Sequence, residues 1–371
     1  MGNGQSRREI LTGSGAALLA AALPACGRAQ EAPKRKLGYA IVGLGSYATR
    51  QIMPRLQDCE FAKLTALVSG TPEKLERFGS EYGIPKTHRY SYANFDSIRD
   101  NPDIDLVYVV LPNSLHAEYS IRASQAGKHV LCEKPMAVSS AECEAMIAAA
   151  KKAGKKLMIG YRCHFEQYNR HGIELVQSGF IGRPRLITSE HGFNAQPGQW
   201  RLDRPLSGGG SMMDIGIYSL NAARYLAGEE PIEVSAMEST DRSDPRFRNV
   251  EDRIDWQMRF PSGALANCAS SYTSNHNAWR VTSTEGWVGM EPATSYEGHQ
   301  MWVRKGGKAE QRTLPAAAKN QFVAQLDHFA ECARTGREPL VAGEEGLRDL
   351  RLIEAIYRSA REGKAIRVAK A

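Results

Sequence analysis

Apolar and polar positions change rhythm along this 371-residue chain, and the changes mark its parts. From Leu37 a short β-rich run, LGYAIVG, meets a glycine turn, then a helix-like segment from Tyr47 to Leu56 and a second strand, LTALVS, ending at Ser69. The alternation continues with a strand over Leu106–Leu111, a helix after Ser114, a strand over His129–Lys134, a helix over Ala141–Ala153 and a strand over Lys156–Tyr161. Short continuous apolar runs separated by helices are the pattern of strands buried on both faces. Residues 37–161 are therefore predicted to form a doubly wound α/β domain on a parallel sheet. Ligands of such sheets lie beyond the carboxyl ends of the strands. The polar clusters Leu111-Pro112-Asn113, Glu133-Lys134-Pro135 and Tyr161-Arg162 all fall at those ends.

Beyond Arg162 the βα rhythm stops. Period-two stretches appear at RLITSEHGF, IEVSAMEST, DRIDWQMRF, ALANCASSY and RVTSTEGWVGM, with MWVRK after them. This predicts a second α/β domain over 162–371 on a large, mostly antiparallel sheet, helices on one face and a polar face on the other. That open face is expected to cover the cofactor or to join subunits into a homodimer or homotetramer. Amphipathic helices near Asn320–Ala333 and Glu344–Ser359 are expected to pack back on the first domain.

The first 36 residues follow neither grammar. Arg7 and Arg8 precede a short Ala/Leu stretch, and small residues follow near Ala25, the layout of a cleavable export signal. Ala16–Leu23 is too short to span a bilayer, so no stable membrane span is expected. The adjacent arginines match a twin-arginine signal, which implies passage to the periplasm in folded form. Leu23-Pro24-Ala25-Cys26-Gly27 also has some likeness to a lipid-attachment box at Cys26, which Pro24 fits poorly.

Charge then excludes one class of partner. The net +7 owes much to Arg7, Arg8, Arg28, Lys34, Arg35 and Lys36, opposed there only by Glu9 and Glu31. No basic face remains for nucleic acid. Seven scattered cysteines offer neither a C-x-x-C pair nor a metal-ligand spacing, so neither a disulfide framework nor a metal site is expected.

Chemistry concentrates at two places. The turn Gly43-Leu44-Gly45-Ser46-Tyr47-Ala48 is a G-x-G-x-x-A fingerprint between strand and helix. Gly43 permits the turn, Gly45 lets backbone approach a pyrophosphate, and Ala48 allows close packing. Where an NAD enzyme places an acidic residue for the ribose hydroxyl, this chain reads Ser69-Gly70-Thr71-Pro72-Glu73-Lys74. A hydroxyl and an ammonium suit a 2′-phosphate, so NADP is expected. The second place is Gln199-Trp200-Arg201 with Gly208-Gly209-Gly210 leading to Asp214 and Tyr218, whose i, i+4 spacing puts both on one helix face. The glycines suggest a close backbone approach to something at that helix's start.

The strings YAIVGLGSYA, ALVSGTPEK, LPNSLHAE, GKHVLCEKPMA, KKLMIGYRCHFE, GQWRL, GGGSMMDIGIYSLN, EEPIEV and GEEGLRDLRLIEAIY span almost all of 37–365. They resemble the glucose–fructose oxidoreductase / inositol dehydrogenase family, most of all its glucose–fructose and periplasmic aldose–aldose oxidoreductase branches. The resemblance implies a sugar oxidoreductase with tightly held NADP, oxidising an aldose at C1 to a lactone and reducing a second sugar to an alditol. It makes Lys134 of the E-K-P motif catalytic and places the acid/base pair on Asp214 and Tyr218. Tyr at the second place departs from the inositol dehydrogenase type, which has His. Ser69, Lys74 and Tyr92 match positions around the 2′-phosphate; Arg162, Trp200 and Arg201 match positions closing over nicotinamide and phosphates. Gly43, Leu44, Gly45, Ser46, Tyr47, Gly70, Leu111, Asn113, His116 and Glu133 complete the expected cofactor contacts, and Lys134, Arg162, Asp214 and Tyr218 the sugar contacts. A free Tyr, with a pKa of about 10, needs help to act as base at neutral pH. Lys134 is expected to supply it by favouring phenolate. Three rival readings follow: a dehydrogenase that releases NADPH, a nicotinamide-dependent glycosidase, and a non-catalytic sensor. The presence of Lys134, Asp214 and Tyr218 speaks against the last.

Overall fold

The computed structural model describes residues 35–317 and 319–368. The expected leader, with Arg7, Arg8 and Cys26, lies outside the described residues. Six parallel strands, β1 (Leu37–Val42), β2 (Ala62–Val68), β3 (Arg89–Tyr90), β4 (Leu106–Val109), β5 (His129–Cys132) and β6 (Leu157–Ile159), form a sheet in the order 3-2-1-4-5-6. That is the order of a dinucleotide-binding sheet, with its crevice where the direction of winding reverses, beyond β1 and β4. Every residue of β4 is buried, as the continuous apolar run requires.

The helices on this half are α1 (Met53–Leu56), α2 (Pro72–Glu81), α3 (His116–Gln125) and α4 (Ser140–Ala153). The helix expected from Tyr47 is less regular than its sequence suggests: a π turn over Ala48–Ile52 precedes α1. α4 shows why its ends fall where they do. Ser139 Oγ accepts from Glu142 N at one end, and Gly154 adopts a left-handed conformation at the other.

The second sheet has nine strands: β7 (Pro184–Gly192), β8 (Glu233–Ser239), β9 (Arg253–Arg259), β10 (Leu265–Ser271), β11 (His276–Ser283), β12 (Gly286–Met290), β13 (Met301–Lys305), β14 (Glu310–Arg312) and β15 (Ile366–Arg367). Their order is 14-13-12-11-7-10-9-8-15, antiparallel throughout except for β7 beside β10. The single strand expected over Arg280–Met290 is two strands, β11 and β12, paired as a hairpin. Helix α5 (Gln167–Gln177), which the strand pattern did not announce, opens this half. α6 (Arg204–Ser207), α7 (Ile217–Ala227), α8 (Gln321–Thr335) and α9 (Gly343–Glu362) follow. α7 packs on β7 and β10, and α9 on β8. The sheet's other face carries the exposed Met237, Leu265 and Trp302.

The two sheets share cores through the late helices. Phe322, Val323, Leu326, Phe329 and Ala330 of α8 are buried together with Tyr39, Ile41, Ile52, Leu106 and Tyr108 of the first sheet and its helix. The Tyr39 hydroxyl donates to Leu326 O at 3.1 Å. α9 packs against α4, where Ser140 N and Oγ donate to Glu354 at 2.7 and 2.8 Å. Among the described residues, no helix is long and apolar enough to cross a membrane.

Candidate active site

The carboxyl ends of β1, β2, β4 and β5 face the segment between β7 and α7 across a cavity of about 1270 Å³. The residues expected to contact cofactor or sugar, from Gly43 to Tyr218, line it, whereas Ala48, Pro135, Tyr161 and Gly208–Gly210 do not. The cavity's size exceeds the ~300–1,000 Å³ usual for a single small ligand, so a dinucleotide and a sugar fit together.

One end suits phosphates. A Cβ at Gly43, whose φ is +97°, would lie 2.2 Å from Val110 O, so the turn requires glycine. A Cβ at Gly45 would meet nothing within 4 Å, which leaves its backbone open to the cavity. Beyond β2, Ser69 Oγ accepts from Thr71 N at 3.1 Å, and its proton is left to donate to an anionic oxygen. Lys74 stands in the first turn of α2, where the helix N-terminus adds positive potential. Sequence reasoning missed Arg50, which lines the same end and adds a second cation. Among the described residues, Glu133 and Asp214 are the carboxylates that line the cavity.

At the other end Lys134 Nζ donates to Asp214 O at 2.6 Å and stands 3.7 Å from Asp214 Oδ1. Asp214 also takes Arg201 Nε at 3.0 Å and the Tyr272 hydroxyl at 3.1 Å. Burial opposes the charge on Asp214, but Arg201 and Lys134 outweigh it and hold the carboxyl below its ordinary range. Burial also draws Lys134 down, with Asp214 and Glu133 resisting.

The expected helix carrying Asp214 and Tyr218 begins as a π turn over Met212–Gly216, and α7 follows from Ile217. Such wide turns recur at functional sites because they re-aim side chains from a helix. The close backbone approach that the three glycines before it suggest is made by the protein itself, Val138 and Tyr357 meeting the first two and Glu251 the third. Gly210 N and Met212 N donate to the buried Glu251 carboxylate at 2.8 and 3.0 Å, and Tyr357 OH donates at 2.7 Å. A Cβ on Gly210 would lie 2.0 Å from Glu251 O. Gly210→Ala is therefore expected to destabilise the protein by about 1–3 kcal/mol. Thermal unfolding should show a Tm several degrees lower; an unchanged Tm would mean that the turn yields freely.

Two expectations about electrostatics change. Lys134 Nζ lies 4.7 Å from the centre of the Tyr218 ring, over its face, and burial pushes the phenol up to about 12 while Arg162 pulls it back. Burial thus outweighs the assistance expected from the ammonium. Arg162 is committed elsewhere than to phosphate: its guanidinium donates to Gln321 Oε1 at 2.8 Å and Thr294 O at 2.5 Å. It lies between the rings of Tyr218 and Tyr296, 5.4 and 4.8 Å away. His116 braces two strand ends, its ring nitrogens 2.8 Å from Pro135 O and 2.9 Å from Leu111 O, and burial lowers its pKa to about 4. Asn113 Nδ2 donates to Ser207 O at 2.8 Å, tying the β4 end to α6. Tyr108 OH donates to Glu133 at 2.5 Å, and Trp200 stacks under the Arg201 guanidinium at 4.6 Å.

Profiles of one protein family match both halves: "Oxidoreductase family, NAD-binding Rossmann fold" over residues 37–161 and "Oxidoreductase family, C-terminal alpha/beta domain" over 173–368. The chain belongs to this oxidoreductase family. It is an enzyme, with the six-stranded nucleotide sheet and the nine-stranded second sheet as the family's two parts. The crystal structure of an aldose–aldose oxidoreductase from Caulobacter crescentus, complexed with glycerol, superposes with a TM-score of 0.89 at 62% identity. The match covers 90% of this chain and 100% of that one. A D-xylose 1-dehydrogenase [NADP(+)] from Haloarcula marismortui is 31% identical over 91% of this chain and 95% of its own. A 3-ketoreductase from Actinomadura kijaniata, crystallised with NADP, aligns at 25% identity with a TM-score of 0.78, over 88% of this chain and 98% of that one.

Proposed function

We propose that this enzyme is an NADP-dependent sugar oxidoreductase that oxidises an aldose at C1 to its lactone and reduces a second sugar to an alditol on a cofactor it retains. The observation that carries the reading is one cavity with Ser69, Lys74 and Arg50 at one end and Lys134, Asp214 and Tyr218 at the other. A nicotinamide bound there supplies the hydride acceptor and donor. Gly43–Tyr47 and Gly70 would hold its phosphates and ribose, with Tyr92 beside them. Tyr218 takes the C1 hydroxyl proton in oxidation and returns one to the carbonyl oxygen in reduction. Lys134 orients the sugar oxygen, and Asp214 holds Lys134. The names of the relatives from C. crescentus and H. marismortui support sugars as substrates. The latter's name also supports a second reading, a dehydrogenase that releases NADPH.

The test is absorbance and mass analysis of the purified protein before and after single aldoses are added. Bound NADP that an aldose reduces and a second sugar reoxidises is the expected result; protein purified without nicotinamide would favour the releasing dehydrogenase.

Cofactor choice is separately testable. Ser69→Asp places a carboxylate where Ser69 is now 4% exposed between Tyr90 and Thr71, and should repel a 2′-phosphate. Relative affinity should shift toward NAD by about tenfold or more, given the ~1 kcal/mol or larger worth of such close charges. Titration of both cofactors reads it, and an unchanged ratio removes Ser69 from the 2′ site.

Export belongs to the same proposal, since the Arg7-Arg8 leader would carry a folded, cofactor-loaded enzyme to the periplasm. Replacing both arginines with lysine should leave active protein in the cytoplasm on fractionation. Wild-type protein that is equally cytoplasmic would defeat the idea.

A further inference from the structure

His191 lies at the end of β7, 1% exposed, and lines the cavity beside Tyr218, their ring centres 5.9 Å apart. Its Nδ1 is 2.8 Å from Ser219 Oγ, on the first turn of α7. Ser219 has one hydroxyl proton, and its oxygen stands 3.0 Å from Ala269 O, a carbonyl that can only accept. That proton is therefore spent on Ala269, and His191 Nδ1 must carry the ring N–H and donate to Ser219. The other ring nitrogen is left as a lone pair, and among the described residues Nε2 has no partner. An unpaired buried acceptor is costly, and proteins rarely keep one without a use. Burial, with Arg162 and His276 nearby, brings the imidazole's pKa down to about 3, so it stays neutral and Nε2 carries no proton.

We infer that His191 is a specificity residue whose Nε2 accepts a hydrogen bond from a sugar hydroxyl other than the one that reacts. The inference rests on the sugar-oxidoreductase reading and adds to it a requirement on the substrate. At that place the substrate must carry a donor. A carbonyl, a carboxylate or a bare CH₂ leaves Nε2 unpaired or faces it with a second lone pair. Nothing moves between His191 and the sugar, so the residue contributes to binding rather than to proton transfer.

The experiment is a steady-state comparison of wild type, His191→Leu and His191→Gln on an accepted aldose. The substrates include that sugar's single deoxy and deoxyfluoro analogues at each non-reacting carbon. In the wild type one deoxy position should lose about 10- to 100-fold in kcat/KM, and the fluoro analogue there should lose as much, because fluorine cannot donate. His191→Leu should raise KM for the parent sugar while kcat stays within about threefold, the mark of lost uniform binding. It should also abolish the penalty at that one position. His191→Gln, which keeps an acceptor, should restore part of it. NADP titration of each variant shows that the fold persists. If every deoxy penalty survives in His191→Leu, or the fluoro analogue behaves like the parent sugar, the assignment is overturned while the functional reading stands. Wild-type enzyme that turns over no sugar overturns both.

Discussion

Tyr218→Phe is expected to slow reduction of bound NADP by an aldose about 10²–10⁴-fold, some 3–5 kcal/mol of barrier, while the cofactor still binds. The phenol lines the sugar end of the cavity, with Lys134 Nζ 4.7 Å from its ring centre. Asp214 is engaged by Arg201, Tyr272 and Lys134, and Glu133 by Tyr108. Lys134→Ala should cost a similar factor, since it removes the ammonium that Asp214 O holds at 2.6 Å. A pH profile separates chemistry from scaffolding. With burial raising Tyr218 to about 12, phenolate is scarce at neutral pH. Its fraction grows about tenfold per pH unit below that value, so oxidation should accelerate with pH. Tyr218→Phe should lose that slope. Single-turnover reduction at near wild-type rate in the variant would name another base.

Enzyme mixed with one aldose and no added nicotinamide should make lactone (or aldonate) and alditol in equal amounts. If the Arg7-Arg8 leader takes the enzyme to the periplasm, as proposed, it meets no expected NADP pool there and a released cofactor would be lost. The oxidant must then come to the cofactor where it sits, and the open-chain carbonyl of a second sugar meets the need. On the proposed reading one cavity with one Tyr218 would serve both half-reactions, so the first product should leave before the second sugar enters. Initial rates with two sugars varied should give parallel double-reciprocal lines, the ping-pong pattern. Each oxidation yields two electrons and each reduction takes two, which fixes the one-to-one ratio. Turnover that needs added NADP and accumulates free NADPH would establish the releasing dehydrogenase instead.

The first half of the fold was legible because its signals are local. Each buried strand is one apolar run, and the Gly43–Ala48 turn sits between strand and helix. The second sheet was legible as alternation, but its punctuation was not. Thr284-Glu285 turns β11 into β12 without an Asn-Gly or Pro signal, so a hairpin read as one strand. The very short β3 and β15 owe their existence to neighbours distant in sequence. The site divides the same way. Lys134, Asp214 and Tyr218 stand in recognisable strings, whereas His191, Asn277 and Tyr296 reach the cavity only through the order of the second sheet and its loops. The glycines at 208–210 carried a true signal of close approach, but only the structure shows that Val138, Tyr357 and Glu251 are what approaches.

The burial of α8 against β1 and β4 has a consequence for how the enzyme is made. Tyr39 is among the first residues of the nucleotide sheet to be synthesised, yet its hydroxyl and ring are covered by Leu326 and its neighbours, 287 residues later. A ribosome that has finished all six strands of that sheet has not finished its core. The apolar underside of β1 and β4 stays uncovered until the chain has been extended through Thr335, so a nascent chain holds an open crevice it cannot complete. A product truncated before α8 is therefore left with an exposed apolar face, a natural client for chaperones and proteases.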